Sequence, residues 1–135
     1  WSSDVCSSDL TDLQAPLMAA LTVADGTSTI EETIYEGRFG HASELARMGA
    51  KIKVAERTVT IEGVERLTGA PVDGLDIRAA AALVLAALAA DGRSEIHEIH
   101  HLRRGYEHVE KKLGALGARV WSRVSDPDDF IFAGC

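Results

Sequence analysis

The sequence predicts an α/β fold built from two copies of one helix-and-strand unit, and three observations carry that expectation. The same short signals recur in the same order. The spacing from Asp25 to Arg38 equals that from Asp91 to Arg104, thirteen residues in each case. Within each copy, helical and strand periods alternate. The first copy runs Asp12-Leu13-Gln14-Ala15, Ala24-Asp25-Gly26, Arg38 and Met48-Gly49-Ala50. The second runs Asp76-Ile77-Arg78-Ala79, Ala90-Asp91-Gly92, Arg104 and Leu116-Gly117-Ala118.

Each copy begins with an apolar helix. Leu13, Leu17 and Leu21 fall on one helical face, whereas Ala79 to Ala90 is apolar nearly all round and belongs at the centre of a core. Gly26 and Gly92 can adopt the left-handed conformation that ends a helix. Thr27 to Thr33 and Arg93 to Ile99 then read as strands. Ala42 to Met48 predicts a short helix in the first copy. In the second, Gly105 to Leu116 predicts a longer one with Tyr106, Val109, Leu113 and Leu116 inward, and with Glu107, Glu110, Lys111 and Lys112 on a solvated face. Ile52-Lys53-Val54 and Thr58-Val59-Thr60-Ile61 alternate as a hairpin around Glu56-Arg57. Stacking such units around a common axis, helices inside and sheets outside, accounts for the all-apolar second helix. The units span about 11–75 and 76–122, and the tail 123–135 matches neither; it reads as an extra strand, a native extension or a sequencing scar.

Composition narrows the function. With 135 residues, 46% hydrophobic and 26% charged, the chain can form a globular domain with a real core. Its twelve-residue apolar run is too short to span a bilayer. A net charge of −7 argues against a nucleic-acid surface but leaves room for one focused basic pocket. Cys6 and Cys135 form neither a metal spacing nor a disulfide framework, so a reducing, cytoplasmic setting is the default.

Residues 1–10 stand apart. Trp1 to Leu10 has neither the basic start and apolar run of a signal peptide nor a structural period. It can be back-translated as TGG AGT TCA GAC GTG TGC TCT TCC GAT CT, which resembles the end of a common sequencing adapter, and is expected to be a library artefact, the plainer alternative being a polar tail. The natural chain is then expected to have been cut just before Thr11. Without Asp4 and Asp9 the net charge moves from −7 to −5, still acidic.

Chemistry-bearing residues cluster at corresponding places in the two copies. Asp12 and Asp76 begin helices, where helix capping is the plainer reading and a site role the alternative. Arg38 and Arg104 follow the strands beside Gly37 and Gly105, small neighbours that let a ligand approach the backbone. With Arg78 they could form a fork-shaped trap for phosphate or carboxylate, although any one of them alone could be a surface ion-pair partner. His97, His100 and His101 do not converge on a strand, because alternate residues face opposite sides, so no metal site is expected. No nucleophilic triad and no Gly-rich phosphate loop stands out.

Six ordered motifs carry a resemblance: Thr11-Asp12-Leu13-Gln14-Ala15, Glu36-Gly37-Arg38-Phe39, Glu44-Leu45-Ala46-Arg47-Met48-Gly49-Ala50, Leu67-Thr68-Gly69-Ala70-Pro71-Val72, Asp76-Ile77-Arg78-Ala79 and Arg104-Gly105-Tyr106-Glu107. From Thr11 to about Val120 the chain resembles the C-terminal part of the UDP-N-acetylglucosamine 1-carboxyvinyltransferases, members of the enolpyruvyl transferase family. The resemblance implies an inside-out α/β barrel, with about two of its repeated units present. It also implies transfer of the enolpyruvyl group of phosphoenolpyruvate to the 3-hydroxyl of UDP-N-acetylglucosamine, with release of phosphate and no cofactor. Asp12 matches the aspartate proposed as base for that hydroxyl. Arg38 and Arg104 match arginines that hold phosphoenolpyruvate, and Asp76 and Arg78 match a pair that organises the charges. Ile34 and Tyr35 match the stretch lining the sugar-nucleotide pocket.

Two positions depart from the family pattern. Gly37 stands where asparagine is usual, and Arg103 where aspartate is common, which puts the local pairing around Arg104 in question. The mobile loop and the N-terminal lysine and asparagine of the family have no counterpart here, so the chain alone is expected to be inactive. The competing expectations are a non-catalytic repeat module that binds a sugar nucleotide or a protein, and an enolpyruvyl transferase acting on 3-phosphoshikimate.

Overall fold

Helices pack inside and sheets outside in the computed structural model, which describes residues 12–33, 39–123 and 128–134. The first unit contains α1 (Gln14–Leu21), β1 (Thr27–Glu31), α2 (Gly40–Arg47), β2 (Lys51–Ala55) and β3 (Thr58–Glu62). β4 (Leu67–Thr68) and β5 (Pro71–Asp73) follow and close that unit; the second contains α3 (Ile77–Ala89), β6 (Ala90–Asp91), β7 (Arg93–His97), α4 (His100–Gly105), α5 (Val109–Ala115) and β8 (Val120–Ser122), and the tail adds β9 (Phe130–Ala133). Among the described residues no helix is long and apolar enough to cross a membrane.

α3, apolar from Ala79 onward, is the hub. Its buried residues Ala80, Ala82, Leu83, Val84, Ala86 and Ala87 meet α1, α2 and α4. Alanines on this helix let its neighbours come close, and larger side chains such as Met18, Leu45, Met48, Ile96 and Phe132 fill the remaining space. One stripe of α3 stays open, with Leu85 and Leu88 46% and 37% exposed. Pro16 is tolerated in the first turn of α1, where a missing N–H breaks no helical bond.

The sheets repeat each other. In the first, β3 lies between β1 and β2, antiparallel to both. In the second, β9 lies between β7 and β8, antiparallel to both, and β5 adds a parallel strand on the far side of β7. Ser28 pairs with Ile61 and Ile30 with Val59; correspondingly, Ser94 pairs with Phe132 and Ile96 with Phe130. The tail thus supplies to the second sheet the strand that β3 supplies to the first. The tail is therefore the extra strand, one of its three readings, and it shares with β3 only the buried alternation: Val59 and Ile61 in one, Phe130 and Phe132 in the other. The two phenylalanine rings meet edge to face, 6.3 Å apart.

The equivalence extends one residue further. Gly63 donates its N–H to the Gly26 carbonyl at 2.9 Å, and Gly134 donates to the Gly92 carbonyl at 2.7 Å. A Cβ on Gly63 would overlap the Ala24 carbonyl, and one on Gly134 the Ala90 carbonyl. Backbone cannot yield as a side-chain tip can, so Gly63→Ala is expected to destabilise the chain by about 1–3 kcal/mol or more. A lowered urea midpoint with an unaltered slope checks this.

Several local expectations are corrected. Gly92 has the anticipated positive φ of 89°, but it joins β6 to β7 and does not cap α3, whose C-cap Ala90 is already extended. The helix expected over Gly105 to Leu116 is broken: α4 ends at Gly105, and α5 begins after His108, whose φ is 48°. Val109 and Leu113 do pack against the core, but Tyr106 and Leu116 are 47% and 85% exposed. His100 and His101 open α4 and do not extend strand β7. The hairpin forms as read, with Glu56 taking the left-handed conformation at the β2–β3 turn.

Candidate functional site

The N-terminus of α3 gathers residues from three other elements. Asp76 is its N-cap, and the carboxylate accepts from the N–H groups of Arg78 at 2.8 Å and Ala79 at 2.9 Å. That cap fixes the backbone of Arg78, whose Nε lies 2.6 Å from Asp12 Oδ1. Asp12 sits just before α1 and is 80% exposed, leaving most of its carboxylate open to a ligand. The two aspartates therefore occupy matching sequence positions but do different work. Asp76 caps its helix, whereas α1 has no side-chain cap, and the third position of its first turn is Pro16, which offers no N–H.

The end of α4 reaches the same place. A Cβ on Gly105 would overlap the Cδ1 of Ile77, the residue between Asp76 and Arg78. Arg104, immediately before that glycine, is exposed and forms no ion pair or hydrogen bond among the described residues. A guanidinium without a partner among the described residues, on the helix that ends beside this N-terminus, suits an anionic ligand.

The start of α2 approaches from another side. A Cβ on Gly40 would lie 3.2 Å from Leu75 Cδ1, and His41 is only 4% exposed, with Nε2 buried and without a hydrogen-bond partner among the described residues. Burial pushes the imidazole below its ordinary value of 6.5, and the negative charge of Asp76 pulls it partly back. Because the folded state holds His41 neutral, the unfolded chain takes up its proton first as pH falls. Stability should thus be level above about pH 6.5 and decline below it, until the lowered folded value is reached. Urea midpoints measured from about pH 8 to pH 5 should show this step, and His41→Leu should remove it.

Gln14 and Glu32 form a further buried link: Gln14 Nε2 donates to Glu32 Oε2 at 2.9 Å, and both residues are buried. It ties the segment after β1 to the start of α1, beside Asp12. Ile34, Tyr35 and Arg38 follow that segment and lie outside the described residues. The described part of the expected set, Asp12, Asp76, Arg78 and Arg104, thus comes from α1, α3 and α4 to one end of the helical core. His41, Gln14 and Glu32 were overlooked in the sequence. Glu32 continues the inward alternation of Ser28 and Ile30, but Gln14 lies off the expected Leu13, Leu17 and Leu21 face, where Leu13 is in fact exposed, and His41 precedes the expected helix.

His97 is separate from this cluster. Its Nδ1 is 2.9 Å from Asp129 Oδ1 on the second sheet. Among the described residues no group of three or more histidine, cysteine, aspartate or glutamate side chains is arranged to hold a metal ion.

Comparison with known proteins gives this arrangement its class, a partial enolpyruvyl transferase fold. The structure resembles the enolpyruvyl transferase NikO from Streptomyces tendae with a TM-score of 0.74, at 37% identity over 81% of this chain and 26% of that one. It resembles EPSP synthase from Acinetobacter baumannii with a TM-score of 0.73, at 21% identity over 93% of this chain and 29% of that one, a likeness of fold alone. The family model for EPSP synthase (3-phosphoshikimate 1-carboxyvinyltransferase) matches residues 9–113, and the chain belongs to that family. Among curated relatives, a UDP-N-acetylglucosamine 1-carboxyvinyltransferase of Desulfovibrio desulfuricans is 56% identical over 110 residues, 82% of this chain and 26% of the relative. UDP-N-acetylglucosamine 1-carboxyvinyltransferase 1 of Caldanaerobacter subterraneus is 57% identical over 113 residues, 84% of this chain and 27% of the relative. The chain spans about a quarter of the length of these relatives.

Proposed function

We propose that this chain is part of a transferase that moves the enolpyruvyl group of phosphoenolpyruvate to the 3-hydroxyl of UDP-N-acetylglucosamine and releases phosphate, the first committed step of peptidoglycan synthesis. The observation that carries the reading is the pairing of an open carboxylate, Asp12, with Arg78 at the capped start of α3, beside the end of α4 that carries Arg104, which has no ion pair or hydrogen bond among the described residues. The choice of acceptor is supported by relatives of that name at 52–57% identity over 82–87% of the chain.

In this reading Asp12 accepts the proton of the sugar hydroxyl as its oxygen bonds to the enolpyruvyl carbon, and the carbon–oxygen bond to phosphate breaks. Arg104, together with Arg38, holds the phosphate and carboxylate of the donor. Asp76 acts through Arg78, fixing its backbone while its guanidinium orients Asp12. Ile34 and Tyr35 line the nucleotide pocket. The units about 11–75 and 76–122 are the catalytic portion present, and the chain alone is inactive. The work takes place in the cytoplasm, uses neither nucleic acid nor membrane, and bears on cell shape and division through wall synthesis.

A chimera tests the acceptor. Residues 12–134 replace the matching quarter of the Desulfovibrio desulfuricans relative, and the product is identified by mass spectrometry with each acceptor offered in turn. Enolpyruvyl UDP-N-acetylglucosamine is the expected product. Modification of 3-phosphoshikimate alone would reassign the substrate, and tight nucleotide binding without any product would favour a non-catalytic module.

A further inference from the structure

Arg103 and Arg104 are neighbours with different surroundings. Arg103 faces the end of β8 and the tail: one guanidinium nitrogen donates to Ser122 Oγ at 3.1 Å, another lies 3.8 Å from Asp128 Oδ1, and the group sits 5.6 Å from the centre of the Phe130 ring. The same stretch grips the entry to α4 from two more points. The Ile99 N–H donates to the Asp128 carbonyl at 2.9 Å, and Asp129 pairs with His97 at 2.9 Å and with Arg123 at 3.4 Å. Phe130 and Phe132, fully buried in the core, anchor this grip.

A helix of six residues has too few internal hydrogen bonds to hold its own shape, so what it packs against sets its orientation. Successive helical side chains point about 100° apart, and Arg103 turned onto the tail therefore leaves Arg104 turned away from it. Gly105 seats the following turn on Ile77, between Asp76 and Arg78. We infer that residues 128–133 and Arg103 form a clamp that aims Arg104 at the bound anion, with Arg103 acting as a positioning residue. The inference rests on the reading of Arg104 as a ligand of the donor, and it gives the departure at position 103 a role. A donor arginine held in place before binding loses less freedom when the anion arrives, so the clamp should act on affinity more than on the chemical step.

Arg103→Ala tests the clamp in two ways. In the 135-residue chain, the N–H groups of Arg103 and Tyr106 close α4 onto the Ile99 and Leu102 carbonyls. Their hydrogen exchange should quicken roughly five- to tenfold, with the amides of Leu83 and Ile96 unchanged. In the chimera, the KM for phosphoenolpyruvate should rise by roughly the same factor while kcat changes less than about twofold. Arg103→Lys, which keeps the charge but not the planar fork, should fall between parent and alanine variant in both. Unchanged exchange overturns the clamp, and quickened exchange with an unchanged KM overturns its positioning role. An inactive chimera with Arg103 intact would count against the proposed activity, and the exchange measurement would still decide whether the clamp exists.

Discussion

Asp12→Asn in the chimera is expected to lower kcat for enolpyruvyl transfer by about 10²–10⁴-fold, the range for losing a positioned proton acceptor. Asparagine keeps the size of the side chain and can still accept from Arg78, so the change removes the base with little else. The Asp12–Arg78 pair is largely solvated on the aspartate side, and exposed pairs contribute at most about 1 kcal/mol. The variant should therefore melt close to the parent. A rate loss without a stability loss separates a role in proton transfer from the capping role that its sequence position also allows. An equal fall in both would return Asp12 to structure.

Arg104→Ala is expected to cost about 10²–10³-fold in kcat/KM, comparable to removing one fixed donor from a developing anion. The guanidinium makes no ion pair or hydrogen bond among the described residues, so truncating it strands no buried charge. Stability should again hold. Arg104→Lys should recover only part of the loss, because an ammonium cannot offer two parallel donors to a carboxylate or phosphate. The contrast with Arg103→Ala is diagnostic. Arg104 should affect both kcat and KM, whereas its neighbour should affect KM almost alone.

Much of this architecture was legible in the chain. The apolar run from Ala79 to Ala90 set the central helix, since it has no polar face, although Leu85 and Leu88 stay exposed, and Thr58 to Ile61 alternated cleanly enough to fix β3. The strand at Phe130 was harder to read because its partner β7 is more than thirty residues away, and only the pairing reveals it as the counterpart of β3. The break at Tyr106 had no strong local signal beyond Gly105. Tertiary contact with Ile77 ends α4 there, and His108 absorbs the turn. Within the site, the duplicated Asp12 and Asp76 were found by counting. Their division of labour depends on Pro16 and on the reach of Arg78, which spacing alone did not settle.

The most direct measurement is phosphate release by the chimera with phosphoenolpyruvate and UDP-N-acetylglucosamine supplied together and singly. Release that requires both substrates, and that Asp12→Asn and Arg104→Ala each slow by about a hundredfold or more in folded protein, is the predicted result. A folded chimera that binds UDP-N-acetylglucosamine yet releases no phosphate, or one whose release survives both substitutions, would contradict it.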